Sequence, residues 1–248
     1  MIKDIVYVAS ENYIPMSFVS MLSCLDHNGV ADLKFHIIYK GESTPSFNSI
    51  AYKARRFSET SHLNLRVYNL NDYTKDNVHV RAVSMMPPAA WRLVIPEIIN
   101  AEIVLYLDND TFVVGDIEEL LNTDINEHPL SARVDSANLC KYFLKHKECD
   151  GISPDSPYFN SGVMVWNISA SRKVGDVPKL IDAVLSNWYQ CFTYKFPQGD
   201  QVALNIVFYG RWKKMAEEYN YFVREPKVSE ATIIHFIGDT KPWGERTQ

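Results

Sequence analysis

Apolar positions in the first half of the chain alternate between short continuous runs and longer stretches at helical spacing. Residues 4–9 (DIVYVA) are rich in β-branched and aromatic side chains and read as a strand. Residues 16–24 follow at helical spacing and stop near Asn28-Gly29, a helix-stop signal. Residues 33–39 are the next strand, 45–57 a helix and 63–70 a strand. Residues 89–100 are apolar at helical spacing, with a proline at 96 that must kink or restart the helix. Residues 103–107 form a further apolar run. The order β-α-β-α-β implies a parallel sheet with right-handed crossovers.

The second half is less regular. Residues 130–134 read as a short strand, and 157–168 contain another at Val163-Met-Val-Trp-Asn167. Residues 177–192 and 200–209 read as helices, and 232–236 as a final strand with His235 at its end. Residues 141–157 are polar and rich in Cys, Pro and Asp, as in a loop or lid. No linker marks a boundary, so one domain with an insertion is expected.

The run Ile103-Val-Leu-Tyr-Leu ends abruptly in Asp108-Asn109-Asp110. Side chains at the carboxyl end of a strand in an α/β sheet face the ligand crevice. Two carboxylates there, with no basic neighbour in sequence, repel one another. A divalent cation neutralises them, and hard oxygen ligands suit Mg²⁺ or Mn²⁺. Such a metal would in turn hold a phosphate. A lone Asp-x-Asp is also a common solvated strand end before a turn, so other residues must decide.

Composition narrows the class. A chain of 248 residues with a 46% hydrophobic fraction can bury a real core, as one large domain or a domain with a subdomain. The balance of 25 basic against 30 acidic residues gives −5, which lends no support to nucleic-acid binding. No apolar run approaches the ~18 residues of a membrane span, and residues 5–9 are too short for the core of a signal peptide. Cys24, Cys140, Cys149 and Cys191 are widely spaced, as expected for reduced structural thiols of a cytosolic protein. An aromatic content of 12%, with 14 Tyr, fits sugar or base binding without requiring it.

Three further segments are unusual. In Tyr158-Phe-Asn160-Ser-Gly162-Val, a glycine among apolar residues permits close backbone approach to a ligand, or marks a strand bulge. In Gln198-Gly-Asp200-Gln201-Val-Ala-Leu-Asn205, Asp200 fits a helix cap, whereas Gln201 gains nothing obvious from capping. In Ile234-His235-Phe-Ile-Gly238-Asp-Thr-Lys241-Pro-Trp243, a neutral imidazole can complete a metal site begun by carboxylates. There Gly238 and Lys241 could receive a phosphate, through a backbone N–H and a point charge. His27, His36, His62, His79, His128 and His146 read as ordinary packed or surface residues. Two carboxylates, a histidine, a lysine and several amides together describe a nucleotide-sugar site.

At this point the chain resembles glycosyltransferase family 8, which includes bacterial lipopolysaccharide galactosyl- and glucosyltransferases and glycogenin. The resemblance rests on Tyr106-Leu-Asp108-Asn-Asp110, Phe159-Asn160-Ser-Gly162-Val, Asp200-Gln201 with Leu204-Asn205, and His235-Phe-x-Gly238-x-x-Lys241-Pro-Trp243. Ile5-Val-Tyr-Val-Ala9-Ser10-Glu-Asn12-Tyr13 and Ala90-Trp-Arg92-Leu-Val-Ile-Pro96-Glu add to it. It implies an α/β GT-A (Rossmann-like) fold, with a mixed, mainly parallel sheet flanked by helices. The nucleotide-binding half would occupy about residues 1–115 and the acceptor side about 116–248 of a single domain.

The resemblance further implies retaining transfer of a hexose, galactose or glucose, from a UDP-sugar. The acceptor would be a hydroxyl of a saccharide, glycolipid or glycoprotein, and the cation Mn²⁺ (or Mg²⁺). It assigns metal binding to Asp108, Asp110 and His235. It places Ala9, Ser10, Asn12, Tyr13, Arg92 and Asn109 at the nucleotide or donor sugar, and Gly238 and Lys241 at the diphosphate. Asp135, Asn160, Asp200 and Gln201 would line the sugar and reaction centre. Relatives often carry an acidic residue where this chain has Ser10, so Ser10 or Glu11 would have to read the uracil. Lipopolysaccharide biosynthesis, a cytoplasmic location and at most peripheral contact at the inner face of a membrane follow from the same resemblance. Two other readings share these residues: a non-catalytic sugar-nucleotide-binding protein, and a metal-dependent nucleotidyltransferase or pyrophosphatase.

Overall fold

The order of strands in the main sheet fixes where a ligand can sit. The computed structural model describes residues 2–28, 32–41, 63–126, 128–135, 153, 155–174, 199–226, 228–238 and 241–244. Strands β1 (Asp4–Ala9), β2 (Lys34–Tyr39), β3 (Asn64–Asn69) and β4 (Ile103–Leu107) run parallel. β6 (Leu130–Val134), β7 (Phe159–Asn167) and β8 (Trp212–Lys214) complete a seven-stranded sheet in the order β3-β2-β1-β4-β7-β6-β8. β7 is antiparallel to both β4 and β6, so the sheet is mixed but mainly parallel. The chain leaves β1 toward β2 and β3, then returns to pair β4 on the other side of β1. Such a reversal of strand order opens a crevice beyond the carboxyl ends of the two strands, here beyond Ala9 and Leu107.

The central strands are buried on both faces, as expected of parallel strands covered on each side. Val6, Val8, Val104 and Tyr106 pack on one face with Trp91, Val94, Trp166 and Phe208. Ile5, Tyr7, Leu105 and Leu107 pack on the other with Met21, Phe35 and Val165. Nine residues of β7, Phe159–Asn167, are all buried. Its pairing with β6 shifts register between Ala132 and Val134, so the Asn-Ser-Gly segment lies in an irregular stretch opposite Arg133. Burial pushes the Cys24 thiol up to about 12, as fits a structural thiol; the other three cysteines lie outside the described residues. Among the described residues, no helix is long and apolar enough to cross a membrane.

The expected strands recur within a residue or two, except that β7 begins at Phe159, four residues before Val163, and Leu70 opens a short helix, Leu70–Tyr73. Residues 89–100 are not one kinked helix. Pro88–Val94 is a 3₁₀ helix, and a separate turn, Ile95–Ile98, starts with Pro96 in its first turn, where a missing N–H costs nothing. The expected helices 45–57 and 177–192, and most of the loop 141–157, lie outside the described residues. A second sheet was not foreseen: β5 (Thr111–Val113), β10 (Ile233–His235) and β9 (Tyr221–Phe222), in the order β5-β10-β9. β10 pairs antiparallel with β5, which sets His235 opposite Thr111, one residue past Asp110.

Helix α1 (Ile14–Asn28) locks this small sheet to the large one through serines. Ser17 Oγ donates to Asn109 Oδ1 at 2.6 Å, and Asn109 Nδ2 donates to Val8 O at 2.7 Å. Ser20 Oγ lies 3.0 Å from Tyr7 Oη and 2.9 Å from Thr111 Oγ1. Ser23 Oγ accepts from Val113 N at 3.0 Å. Spaced three apart, the three hydroxyls share one helix face, and each holds a part of the 109–113 segment. The apolar Val19 and Leu22 face outward instead, 53% and 42% exposed. Removing the Ser20 hydroxyl strands the buried Tyr7 hydroxyl, while Thr111 Oγ1 keeps its bond to Asp108 O. Ser20→Ala should therefore cost about 1–3 kcal/mol, read as a fall in unfolding temperature of roughly 2–4 °C per kcal/mol. Leu22→Ala on the exposed face should change stability by less than about 0.5 kcal/mol.

Candidate active site

Asp108 follows β4, Asp110 precedes β5, and His235 ends β10. Sheet pairing alone therefore brings them together. One ligand atom from each lies within 4.8 Å of the others, the single such cluster among the described residues. His235 Nε2 stands 3.3 Å from Asp110 Oδ1 and 3.8 Å from Asp108 Oδ2. These hard oxygens and an imidazole suit Mn²⁺ or Mg²⁺.

The other carboxylate oxygens are already engaged. Asp108 Oδ1 accepts from the Tyr106 hydroxyl at 2.5 Å and pairs with Arg92 Nη2 at 3.1 Å. Asp110 Oδ2 accepts from Lys241 Nζ, which also donates to Phe236 O at 2.7 Å. Burial pushes the Asp108 carboxyl above its usual range, with the Arg92 charge opposing that rise and the Asp110 charge adding to it. Burial acts on Asp110 too, but the hydrogen bond and charge of His235, then Lys241, hold it well below the usual range. The two acids are thus unequal, and Asp110 is the firmly ionised one.

A second cluster lies beside the first. Asp200 and Gln201 open the helix Gly199–Val207, Asn160 lies in β7, and Asp135 follows β6. Gln201 Oε1 accepts from Ser161 N at 2.9 Å and Ser161 Oγ at 3.2 Å, while its Nε2 donates to Asp135 Oδ2 at 3.4 Å. Asn160 Nδ2 donates to the same Asp135 oxygen at 3.4 Å. Arg92 joins the two clusters. Its Nε lies 3.0 Å from Asp200 Oδ2 and donates to Ala89 O at 2.9 Å, and Nη1 donates to Ser161 O at 2.8 Å. Its guanidinium lies 4.9 Å from the Tyr106 ring centroid. With His235 neutral, as a metal ligand must be, three carboxylates, Asp108, Asp110 and Asp200, face two cations, Arg92 and Lys241. The surplus negative charge favours a cation.

A cavity of about 350 Å³ opens beside the metal cluster at the β1/β4 reversal. Ser10, Tyr13, Ala89, Arg92, Asp108, Asn109, Asp110 and Lys241 contribute to its lining. Ala9 is buried at the end of β1, and Asn12 and Glu11 lie exposed in the 3₁₀ turn that follows. Both ends of the Asn109 side-chain amide are engaged by protein, at Ser17 and Val8. Gly238 has φ +80°, and the Arg224 guanidinium occupies the place a Cβ would take. Trp243 packs edge-on against Tyr13, ring centroids 6.1 Å apart. A larger cleft of about 600 Å³ lies at the opposite ends of the strands, around Lys3, Lys34, Arg66 and Glu102. It holds no such metal-ligand cluster.

Sequence reasoning missed Asn220, Arg133 and the serines of α1. Gly162 does permit a close approach, but the neighbour is His235: a Cβ there would stand 2.1 Å from His235 Cε1. The ring lies flush on the glycine, so Gly162→Ala must push His235 off the two aspartates. This overpacking should cost about 1–3 kcal/mol of stability. Binding of Mn²⁺ in the presence of UDP, followed by electron paramagnetic resonance, should weaken at least about tenfold, the scale seen when a ligand loses its support. Wild-type affinity in that variant would show that the contact does not fix the imidazole.

A sequence profile of glycosyl transferase family 8 matches residues 4–247. The chain is similar to glycosyltransferase GlyA of Streptococcus pneumoniae serotype 4, at 24% identity over 250 residues, 97% of this chain and 32% of the relative. It is similar to lipopolysaccharide 1,2-glucosyltransferase of Escherichia coli K12, at 24% identity over 261 residues, 97% of this chain and 72% of the relative. It spans 57% of a third relative, glycosyltransferase GlyB of Streptococcus pneumoniae. The galactosyltransferase LgtC, solved in complex with donor and acceptor sugar analogs, superposes with a TM-score of 0.71 at 24% identity. That match covers 98% of this chain and 90% of LgtC, and the shared architecture is the GT-A arrangement of a mixed sheet flanked by helices. A profile running from the first strand past Lys241, on this fold, shows that the chain belongs to glycosyl transferase family 8.

Proposed function

We propose that this chain is a retaining hexosyltransferase that moves galactose or glucose from a UDP-sugar to a hydroxyl of a saccharide, glycolipid or glycoprotein. The observation that carries this reading is the convergence of Asp108, Asp110 and His235 beside a cavity of about 350 Å³ in a family 8 chain. These three would hold Mn²⁺ or Mg²⁺, which when bound supplies Lewis-acid stabilisation of the departing diphosphate. The nucleotide half, about 1–115, contributes Ala9, Ser10, Asn12, Tyr13, Arg92 and Asn109 to the donor site. Lys241, with Gly238 beside it, brings a positive charge to the diphosphate. That requires the ammonium to exchange Asp110 for a phosphate oxygen.

Bond cleavage at the sugar C1 leaves positive charge on the ring. The Gln201 side chain is an amide, unable to form a stable glycosyl ester but able to stabilise that charge. Asp200 is the neighbouring carboxylate, and its ion pair with Arg92 lowers its nucleophilicity. Both features support attack of the acceptor hydroxyl on the face from which the phosphate leaves, with the departing phosphate oxygen taking the hydroxyl proton and with retention of configuration. Asp135 and Asn160 hold Gln201 and the sugar side of the site. The acceptor side would be about residues 116–248.

A panel of UDP-sugars with Mn²⁺ and no acceptor tests the reading through slow hydrolysis. UDP and free hexose are expected. UMP and sugar phosphate would instead indicate a pyrophosphatase, and tight UDP binding without turnover a non-catalytic binder. Asp110→Asn should abolish Mn²⁺-dependent UDP release with the fold intact, and retained activity would remove Asp110 from the metal site. Gln201→Ala should slow release about ten- to a thousandfold, roughly 1.4–4 kcal/mol of transition-state stabilisation. UDP affinity should change less, because the interaction strengthens only as charge develops. A trapped sugar adduct on Asp200 would overturn same-face transfer.

A further inference from the structure

We infer that Asn220 is a positioning residue: it sets the tautomer and ring orientation of His235 and ties that ring to the sugar side of the site through Asn160. The inference rests on the metal reading above. Asn220 ends the 3₁₀ helix Glu217–Asn220 and is fully buried. Its Oδ1 lies 2.8 Å from His235 Nδ1, and its Nδ2 donates to Asn160 Oδ1 at 3.0 Å. A buried amide with both ends engaged fixes what it touches, because leaving either end unmade costs a desolvated polar group.

Donor and acceptor directions follow from one backbone group. Gly162 N–H can only donate, and it donates to Asn160 Oδ1 at 2.9 Å. Asn160 therefore presents its carbonyl to this corner, and its Nδ2 points to Asp135. Asn220 must then offer its NH₂ to Asn160 and its carbonyl to His235. A carbonyl only accepts, so His235 Nδ1 carries the proton. Nε2 is the atom that faces Asp110 and Asp108. Without a cation a second proton there bonds to Asp110. In the neutral ring with Nδ1 protonated, Nε2 is bare and open to a cation. A ligating histidine is commonly oriented through its second nitrogen in this way.

The same chain of bonds runs His235–Asn220–Asn160–Asp135–Gln201. The position of the metal ligand is thereby linked to that of the amide beside the reacting sugar. Arg133 supports Asn220 from outside this chain: Nη1 donates to Asn220 O at 2.7 Å, and the guanidinium pairs with Glu225. The main-chain anchor leaves the Asn220 side chain free to be changed alone.

Two substitutions separate positioning from simple support. Asn220→Leu keeps the branched outline of the side chain and removes both hydrogen bonds. Asn220→Asp keeps an acceptor for His235 Nδ1–H but loses the donor to Asn160. Nitrogen-15 spectra of the metal-free imidazoles, recorded at a pH where the ring is neutral, report the tautomer, and Mn²⁺ titration in the presence of UDP reports the site. Wild type should show His235 protonated at Nδ1. Asn220→Leu should admit the other tautomer and weaken Mn²⁺ by about 10- to 100-fold. Asn220→Asp should keep the wild-type tautomer and Mn²⁺ affinity within a few-fold, yet release UDP from donor several-fold more slowly. Wild-type Mn²⁺ affinity and tautomer in Asn220→Leu would overturn the inference, as would loss of Mn²⁺ binding in Asn220→Asp equal to that in the leucine variant. A wild-type protein that binds no Mn²⁺ with UDP would refute the metal reading instead, and the nitrogen-15 spectra would still decide the tautomer.

Discussion

The site is organised around one buried cation. Arg92 has almost no exposed surface, and it bridges Asp108 at the metal cluster to Asp200 at the head of the helix Gly199–Val207. A guanidinium taken out of water without partners would cost several kcal/mol. Here each nitrogen finds an acceptor, and Tyr106 offers a ring face. Two acids from distant parts of the chain are in turn committed to one position each. Replacing Arg92 would leave Asp200 buried without its ion pair and Asp108 with only Tyr106 and His235, so its loss would disturb both clusters together.

Around that cation the site is built on ordered elements. The candidate metal ligands come from a strand end and the edges of the small sheet, and that sheet is pinned by the serines of α1. The amides come from a fully buried strand and a helix start. Held in this way, polar groups need little reorganisation as charge develops, which is the physical basis of electrostatic preorganisation.

Much of this was legible in the sequence because hydrophobic runs end where chemistry begins. The apolar stretch before Asp108 and the strand that ends at His235 both announce side chains aimed into a crevice. The parallel order of the first four strands also follows from patterning. What was not legible is relational. Asn220 lies in an unremarkable Glu-Glu-Tyr-Asn segment, and only folding shows that it joins His235 to Asn160. Helix α1 hid its role because its buried face carries Ser17, Ser20 and Ser23 while Val19 and Leu22 face outward, the reverse of the usual amphipathic rule. Two cations near the aspartates, Arg92 and Lys241, were also invisible to an argument from sequence neighbours.

The imidazole lying flush on Gly162 has a consequence for how this protein can vary. With less than a methyl group's clearance between ring and backbone, positions 162 and 235 cannot drift independently. Any side chain at 162 excludes histidine at 235 in its present pose, and a smaller residue at 235 surrenders the imidazole beside the two aspartates while opening a void above the glycine. The two positions therefore behave as one inherited unit. In a library that randomises the pair, survivors should carry the glycine and the histidine together, or have abandoned both along with the cation.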